Sequence, residues 1–421
     1  MIPSPNDEKN VAETPDKKQG VLTGIRIARV STVPFFVVTQ LRHQIEMLGR
    51  SGAKVTVISS NGPELAALNG LSGVSCAVID IPRSISPWRD VVALGRLLLL
   101  FKREHIQIAH STTPKAGLLT ALAAFLAGVP IRLHTFTGQP WVEMHGIKRW
   151  LARSSDWLIG KLNTRCYADS ASQRRFLIDQ GLVNAGDLAV IGAGSLAGVD
   201  MRRFDPARFT ANDRASLRHS LDIPADAPVL LFVGRITVDK GVRELMQAFR
   251  ILRHAEAGIH LVFVGQFDVD SGVTGGISRS EIELLPDTHI VGYSECPEAY
   301  MAIADILCLP SYREGFGTVV IEAAAMGVPT VGTNIYGLCD AVVHGETGLL
   351  VEPHNGKALA GAIGTLLADS SLRGRMSEAA KQRVRTWFDA EVINNLVVKE
   401  YVGLLQEKGM MKRGDDAGRG Q

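Results

Sequence analysis

The chain has 421 residues, too many for one average domain and suited to two, with 46% hydrophobic and only 6% aromatic residues. Its net charge of +2 and pI near 8.3 make no case for nucleic-acid binding. The cysteines Cys76, Cys166, Cys296, Cys308 and Cys339 are scattered without Cys-x-x-Cys or Cys/His ligand spacing, so a reduced cytoplasmic protein without structural metal is expected.

Residues 1–21, with Asp7, Glu8, Lys9, Asp16, Lys17 and Lys18, read as a polar, disordered tail lacking a signal-peptide pattern. Short β-branched runs then alternate with helical patterns. Strands are expected at 25–30, 54–59, 76–81, 106–110, 131–135 and 165–169 in the first half. The apolar stretches 91–101 and 117–129 fall short of the roughly 18–20 residues that a spanning helix needs. The stretch 141–165 interleaves Trp150, Leu151, Trp157, Leu158 and Ile159 with Lys148, Arg149, Arg153, Lys161 and Arg165. Such a helix can lie on an anionic membrane or pack on its own sheet with a solvated basic face.

The alternation falters around 191–209, where Gly192, Gly194, Gly198 and Pro206 cluster, which divides the chain into 22–205 and 206–388. Second-half strands are expected at 229–234, 260–265, 289–291, 306–309, 329–332 and 348–351. Val242, Leu245, Met246, Phe249 and Leu252 recur at helix spacing, and a last helical pattern covers 389–408 before a second disordered tail at 409–421. Cys76 and Cys308 fall in strand-like runs, where a reduced cysteine is a small hydrophobe. The whole reads as α/β, two doubly wound Rossmann-like domains with parallel sheets covered on both faces.

The chemistry concentrates in Ser311-Tyr-Arg-Glu-Gly-Phe-Gly-Thr-Val-Val-Ile-Glu322. It follows a buried strand and runs into an apolar helix that ends at Gly327, with Pro329 beyond. Gly315 and Gly317 leave the backbone bare where the helix begins, so its N–H groups and dipole can face an anion such as a diphosphate. Glu314 and Glu322 are carboxylates able to hold sugar hydroxyls. Upstream, Arg235 follows the strand that ends at Gly234, and Lys240 precedes a helix, where cations oppose the dipole unless an anion sits among them.

These motifs, Glu314-x7-Glu322 and Gly234-Arg235-x4-Lys240-Gly241, resemble those of retaining GT-B glycosyltransferases of the glycosyltransferase 4 (glycosyl transferases group 1) family, of the bacterial O-antigen, capsule and lipid-linked glycan type. The resemblance is strong over 229–351 and architectural over 22–405. It implies a GT-B fold with a deep cleft, the 389–408 helix packing back on the first domain, and the run from Gly198-Val199-Asp200 to Phe204 closing that domain. Arg235 and Lys240 would hold the donor diphosphate, Glu322 the ribose and Glu314 the transferred sugar. The backbone of Gly315, Phe316, Gly317 and Thr318 would meet sugar and phosphate, and Gly234, Val291 and Gly292 would line the nucleotide. His134 is either a family histidine near the sugar or a core histidine satisfied by backbone. The loops Thr333–Gly337 and His344–Gly348 either border the nucleotide or are simple tight turns. The first strand departs from the family: Val30-Ser31-Thr32-Val33-Pro34-Phe35-Phe36 lacks its Gly-Gly loop, which points to a bulky or lipid-adapted acceptor region.

The expected activity is retaining, metal-free transfer of an N-acetylhexosamine from a nucleotide-sugar, UDP-linked, to a lipid-diphosphate-linked saccharide in cell-surface polysaccharide synthesis. No cofactor beyond the nucleotide-sugar cosubstrate is expected. The location is cytoplasmic, with peripheral contact at the inner membrane through 141–165. Alternatives are a metal-dependent transferase using Asp268-Val269-Asp270, a triplet that reads more simply as a turn, a GT-B-like epimerase, and a non-catalytic nucleotide-sugar-binding protein. Gly192-Ala-Gly-Ser-Leu-Ala-Gly198 is neither a dinucleotide fingerprint nor a nucleophile elbow, and there is no P-loop. The joint presence of Arg235, Lys240, Glu314 and Glu322 favours catalysis.

Overall fold

The computed structural model describes residues 20–82, 86–255, 258–267 and 276–412. The Asp268-Val269-Asp270 triplet and most of both expected tails lie outside these residues. Residues 409–412 lie within them: the Met410 N–H donates to Leu405 O at 2.9 Å, and Met410 and Met411 pack on the first domain's core.

The first sheet comprises β1 (Arg26–Val30), β2 (Lys54–Ser59), β3 (Val74–Val78), β4 (Ile108–Thr112), β5 (Ile131–Phe136), β6 (Arg165–Ala168) and β7 (Leu188–Val190). The second comprises β8 (Val229–Val233), β9 (His260–Val264), β10 (Thr288–Gly292), β11 (Ile306–Leu309), β12 (Thr330–Thr333) and β13 (Gly348–Val351). Their strand orders are β3-β2-β1-β4-β5-β6-β7 and β10-β9-β8-β11-β12-β13, and every pairing is parallel. Both are doubly wound sheets whose order reverses beside the first strand, between β1 and β4 and between β8 and β11. Side chains of β1 alternate between two cores: Ile27 joins the cluster under the C-terminal helix, and Ala28 and Val30 the cluster under the crossover helices.

Four details differ from expectation, the first being that β3 spans Val74–Val78 rather than 76–81. β7 was not anticipated, because three residues are too short for a periodic signal. β4 runs to Thr112 rather than stopping at His110: its polar end is buried, with Ser111 Oγ donating to Leu133 O at 3.3 Å. Cys76 lies exposed on the edge strand β3, whereas Cys308 is buried.

The chain passes between the sheets twice, side by side. Val199 N–H donates to Phe388 O at 2.7 Å and Ala390 N–H to Val199 O at 2.9 Å. The last helix, Ala390–Glu407, then packs on Arg42–Arg50 of the first domain. Its buried Tyr401 hydroxyl lies 3.3 Å from Arg29 Nη1 and 2.5 Å from His110 Nδ1, while His110 Nε2 is 2.8 Å from Thr135 Oγ1. This polar core fixes the helix to β1, β4 and β5. Among the described residues no helix is long and apolar enough to cross a membrane.

Candidate active site

In open parallel sheets the crevice outside the strands' carboxyl ends, at the switch in strand order, is where ligands bind. In the second domain that switch separates β8 from β11, and the two motifs found in the sequence follow these two strands. Lys240 Nζ meets Glu314 Oε1 at 2.5 Å, and Ser311 Oγ donates to the same oxygen at 2.8 Å. The backbone ties the loops as well, Tyr312 N–H donating to Asp239 O at 2.9 Å. Gly241, at φ +68°, opens the helix Val242–Ala255 directly against β11's exit: a Cβ there would lie 2.0 Å from Pro310 O.

Arg235 is exposed at the exit of β8. Arg235, Lys240 and Arg313 surround Asp239, with Arg313 Nη2 3.4 Å from its carboxylate. Burial pushes the Asp239 carboxyl up, but the Thr237 hydroxyl and the three cations outweigh it and hold the group below its ordinary value.

The helix Thr318–Ala325 begins at Gly317 (φ +86°) with no side chain capping it, so its first amides remain available to a ligand. The Phe316 ring turns away from the site into the hinge, 5.1 Å from Phe388 and against Gly194. Glu322 lies inside the same helix, and burial raises its pKa to about 7. Arg203 opposes that shift and Glu298 reinforces it. Arg203 itself grips Glu298 bidentately at 3.0 and 2.9 Å.

At the far side of the sheet, Gly234 N–H donates to Val264 O at 2.9 Å and Gly265 N–H to Gly292 O at 2.7 Å. Gly234, Gly265 and Gly292 thus end β8, β9 and β10 side by side, and Val291 precedes the last of them.

His134 does not join the cluster, which corrects the sequence expectation. It is 1% exposed, with Nδ1 2.9 Å from Ser111 Oγ and its ring edge-on to Phe136. It points from the face of β5 into the packing beneath Gly117 of the helix Pro114–Ala127, and burial lowers its pKa to about 3. From β5, the residues beyond its carboxyl end reach the second domain. There Gly315 packs against Thr137, where a Cβ would lie 2.8 Å from the carbonyl, and beside the Asp169 carboxylate. Burial pushes the Asp169 pKa to about 8.

The first domain also touches the loop after β12. Ser172 N–H and Oγ donate to Asp340 at 2.9 and 2.5 Å, Gly337 N–H donates to Ser172 Oγ at 2.8 Å, and Phe176 stacks on Tyr336 at 4.8 Å. On the opposite side Phe35 meets Tyr293 edge-on at 5.7 Å. The glycine-free segment after β1 forms a short helix, Pro34–Phe36, running into a π-helical turn, Val37–Leu41. Arg313, Asp169, Ser172 and Asp340 had not been singled out. Arg313 lies inside the Ser311–Glu322 motif and Asp169 at a strand's end, which were available signals; the Ser172–Asp340 contact spans two domains and had none. No group of three or more His, Cys, Asp and Glu suited to a metal occurs among the described residues.

Two family models match: glycosyl transferases group 1 over 213–383 and a glycosyl transferase 4-like domain over 37–194. The capsular polysaccharide biosynthesis glycosyltransferase CapM of Staphylococcus aureus is 32% identical over 374 residues, covering 87% of this chain and 94% of its own. A D-inositol 3-phosphate glycosyltransferase of Corynebacterium efficiens is 30% identical over 418 residues, covering 88% and 95%. The crystal structure of Anabaena HepE with UDP-glucose superposes with a TM-score of 0.73 at 18% identity, over 90% of this chain and all (100%) of the other. With this fold and these relatives, the chain is a glycosyltransferase of the glycosyl transferases group 1 (glycosyltransferase 4) family, with the GT-B fold.

Proposed function

We propose that this glycosyltransferase moves a sugar, an N-acetylhexosamine, from a UDP-linked donor to a lipid-diphosphate-linked saccharide in capsule or related surface-polysaccharide synthesis. The observation that carries the donor side is the Lys240–Glu314 contact at 2.5 Å, which joins the two motifs at the switch point. The S. aureus relative's name supports the pathway, and the UDP-glucose bound by HepE supports the donor class.

In this proposal Arg235, Lys240 and the start of the helix Thr318–Ala325 hold the diphosphate. Glu322 accepts the ribose hydroxyls, and Val291 and Gly292 flank the base with backbone. Glu314 faces the sugar, together with the amides of Gly315 to Thr318. The acceptor hydroxyl attacks the anomeric carbon from the face the nucleotide leaves. The bond from that carbon to the diphosphate oxygen breaks, the bond to the acceptor oxygen forms, and the acceptor's proton passes to the diphosphate. Configuration is retained because attack and departure share one face, and no metal is required because fixed cations and amides stabilise the charge that develops on the leaving group. His134 has no role in this scheme. The enzyme works at the cytoplasmic face of the inner membrane and touches it through 141–165.

Calorimetric binding of UDP, GDP and ADP in EDTA tests the donor site. UDP should bind the wild type and lose most of its affinity in Glu322→Ala. Binding of none of the three would sink the metal-free UDP site.

A further inference from the structure

Two carboxylates on neighbouring helices of the second domain are partnered unequally. The short helix Pro297–Met301 packs against Thr318–Ala325, and its Met301 shares one core with Val320 and Ile321. Glu298, on the first helix, is 4% exposed and has both oxygens matched. Arg203 Nε donates to Oε1 at 3.0 Å and Nη2 to Oε2 at 2.9 Å, while Arg208 Nη1 stands 3.8 Å from Oε1. Glu322, on the second helix, is partly buried and makes no hydrogen bond or ion pair among the described residues. A carboxylate drawn from water without a protein partner is costly unless a ligand completes it.

Arg203 is the cation that acts on both. Burial works against its charge, but Glu298 outweighs that through hydrogen bonds and charge, and Glu322 contributes through charge alone. Nη2 also donates to Glu295 O at 2.5 Å, whereas Nη1 donates to no acceptor among the described residues. A guanidinium gripped by two bonds to one carboxylate is a fixed charge with a fixed plane. The residue reaches this place from the segment where the chain crosses between the domains. Val199 pairs there with Phe388 and Ala390, Arg203 N–H donates to Asp200 O at 3.1 Å, and Arg208 Nη1 donates to Arg203 O at 2.6 Å. A bridge that only fastened this segment would act on stability. A bridge that also biases Glu322 acts on a carboxylate of the candidate site, and pH separates the two.

We propose that Arg203, braced by Glu298, is a positioning residue for donor binding: its fixed charge holds Glu322 ready to accept the ribose hydroxyls. This role rests on the reading of Glu322 as the ribose contact and names the pair that tunes it. The two members act in opposite senses. The guanidinium favours the charged form of Glu322, and the Glu298 carboxylate disfavours it. Burial is the larger influence and leaves Glu322 titrating at about 7, so losing either partner moves a transition that lies in an accessible range.

The test is calorimetric UDP affinity of the full chain between about pH 5.5 and 9, each variant read as its ratio to wild type so that the titration of UDP itself cancels. Arg203→Gln removes the cation and should raise the transition by about half to one unit. It should then bind UDP about three- to tenfold more weakly than wild type near pH 6 and equally near pH 9. Glu298→Gln removes the opposing charge and should shift the transition the other way, binding about three- to fivefold more tightly near pH 6. Arg203→Lys keeps the charge and should stay closer to wild type than Arg203→Gln. A loss in Arg203→Gln that is the same at every pH, or shifts of one sign in both variants, would make the pair a structural tie and overturn the proposal. Should Arg203→Gln fail to fold, Glu298→Gln decides alone: a transition that stays or rises overturns it. Glu322→Gln separates this failure from failure of the ribose reading. If that variant keeps the wild-type profile, or wild type binds no UDP, the ribose contact falls and the role of Arg203 with it. If it flattens the profile while the Arg203 and Glu298 variants leave the transition in place, only the role of Arg203 falls.

Discussion

Lys240 and Glu314, 74 residues apart, meet only because β8 and β11 are neighbours. Each motif was legible on its own; their contact follows from strand order. With Lys240 gone, the leaving diphosphate loses a fixed charge, while ribose and base contacts remain. Lys240→Ala should therefore lower kcat by about 100- to 1,000-fold and weaken UDP binding less than about tenfold. Equal losses in both would remove its role in stabilising departure. Glu322 supplies a pH signature, because burial raises its pKa to about 7 and only the carboxylate can accept from two ribose hydroxyls. UDP affinity should rise with pH up to about 7 and then level, with a slope of at most about tenfold per unit below that point. Glu322→Gln should flatten the profile, and an unchanged slope in that variant would place the titration elsewhere. His134 shows the limit of reading residue types: its position within β5 rather than beyond it decides that it faces the core.

At the scale of elements, β-branched runs located twelve of the thirteen strands, and the polar end of β4 and the brevity of β7 account for the principal misses. The glycine-bearing turns were legible as turns, but not for what they touch. Gly241 is one case, needing both a left-handed backbone and the absence of Cβ against Pro310. Gly241→Ala should cost about 1–3 kcal/mol from the backbone alone. It should also push the exit of β11 away from the helix Val242–Ala255, displacing Ser311 and Glu314 and reducing turnover. Gly95→Ala is the control: that glycine lies within a helix with nothing near its Cβ position, so the change should be neutral or stabilise by up to about 1 kcal/mol. Urea midpoints for the two variants check the contrast; a Gly241→Ala midpoint equal to wild type would mean that the loops adjust freely.

For the whole molecule, two parallel sheets were legible because alternation recurs along the chain, whereas the domain contacts were not. Gly315 against Thr137, Ser172 on Asp340 and Phe35 on Tyr293 join segments with no shared pattern. The same folding buries carboxyls, and that makes stability depend on pH. Burial raises Asp156 from 3.8 and Glu322 from 4.5 to about 7, and Asp169 from 3.8 to about 8. Across those intervals the native chain binds more protons than the unfolded one, so each group lowers stability as pH rises. Buried His134 acts oppositely, its pKa lowered from 6.5 to about 3, and His110 is shifted in the same direction. Both histidines add stability as pH rises toward 6.5 and nothing further above it. Between about pH 6.5 and 8 the carboxyls act alone, and the nucleotide-free protein should lose stability across that range. Asp156→Asn retains an acceptor for the Trp141 indole and removes one titration, so its urea midpoint should fall less steeply than wild type. A wild-type midpoint that holds or rises from pH 6.5 to 8 would mean that these carboxyls stay solvated in the folded chain; the pH dependence assigned to Glu322 would then fall with them.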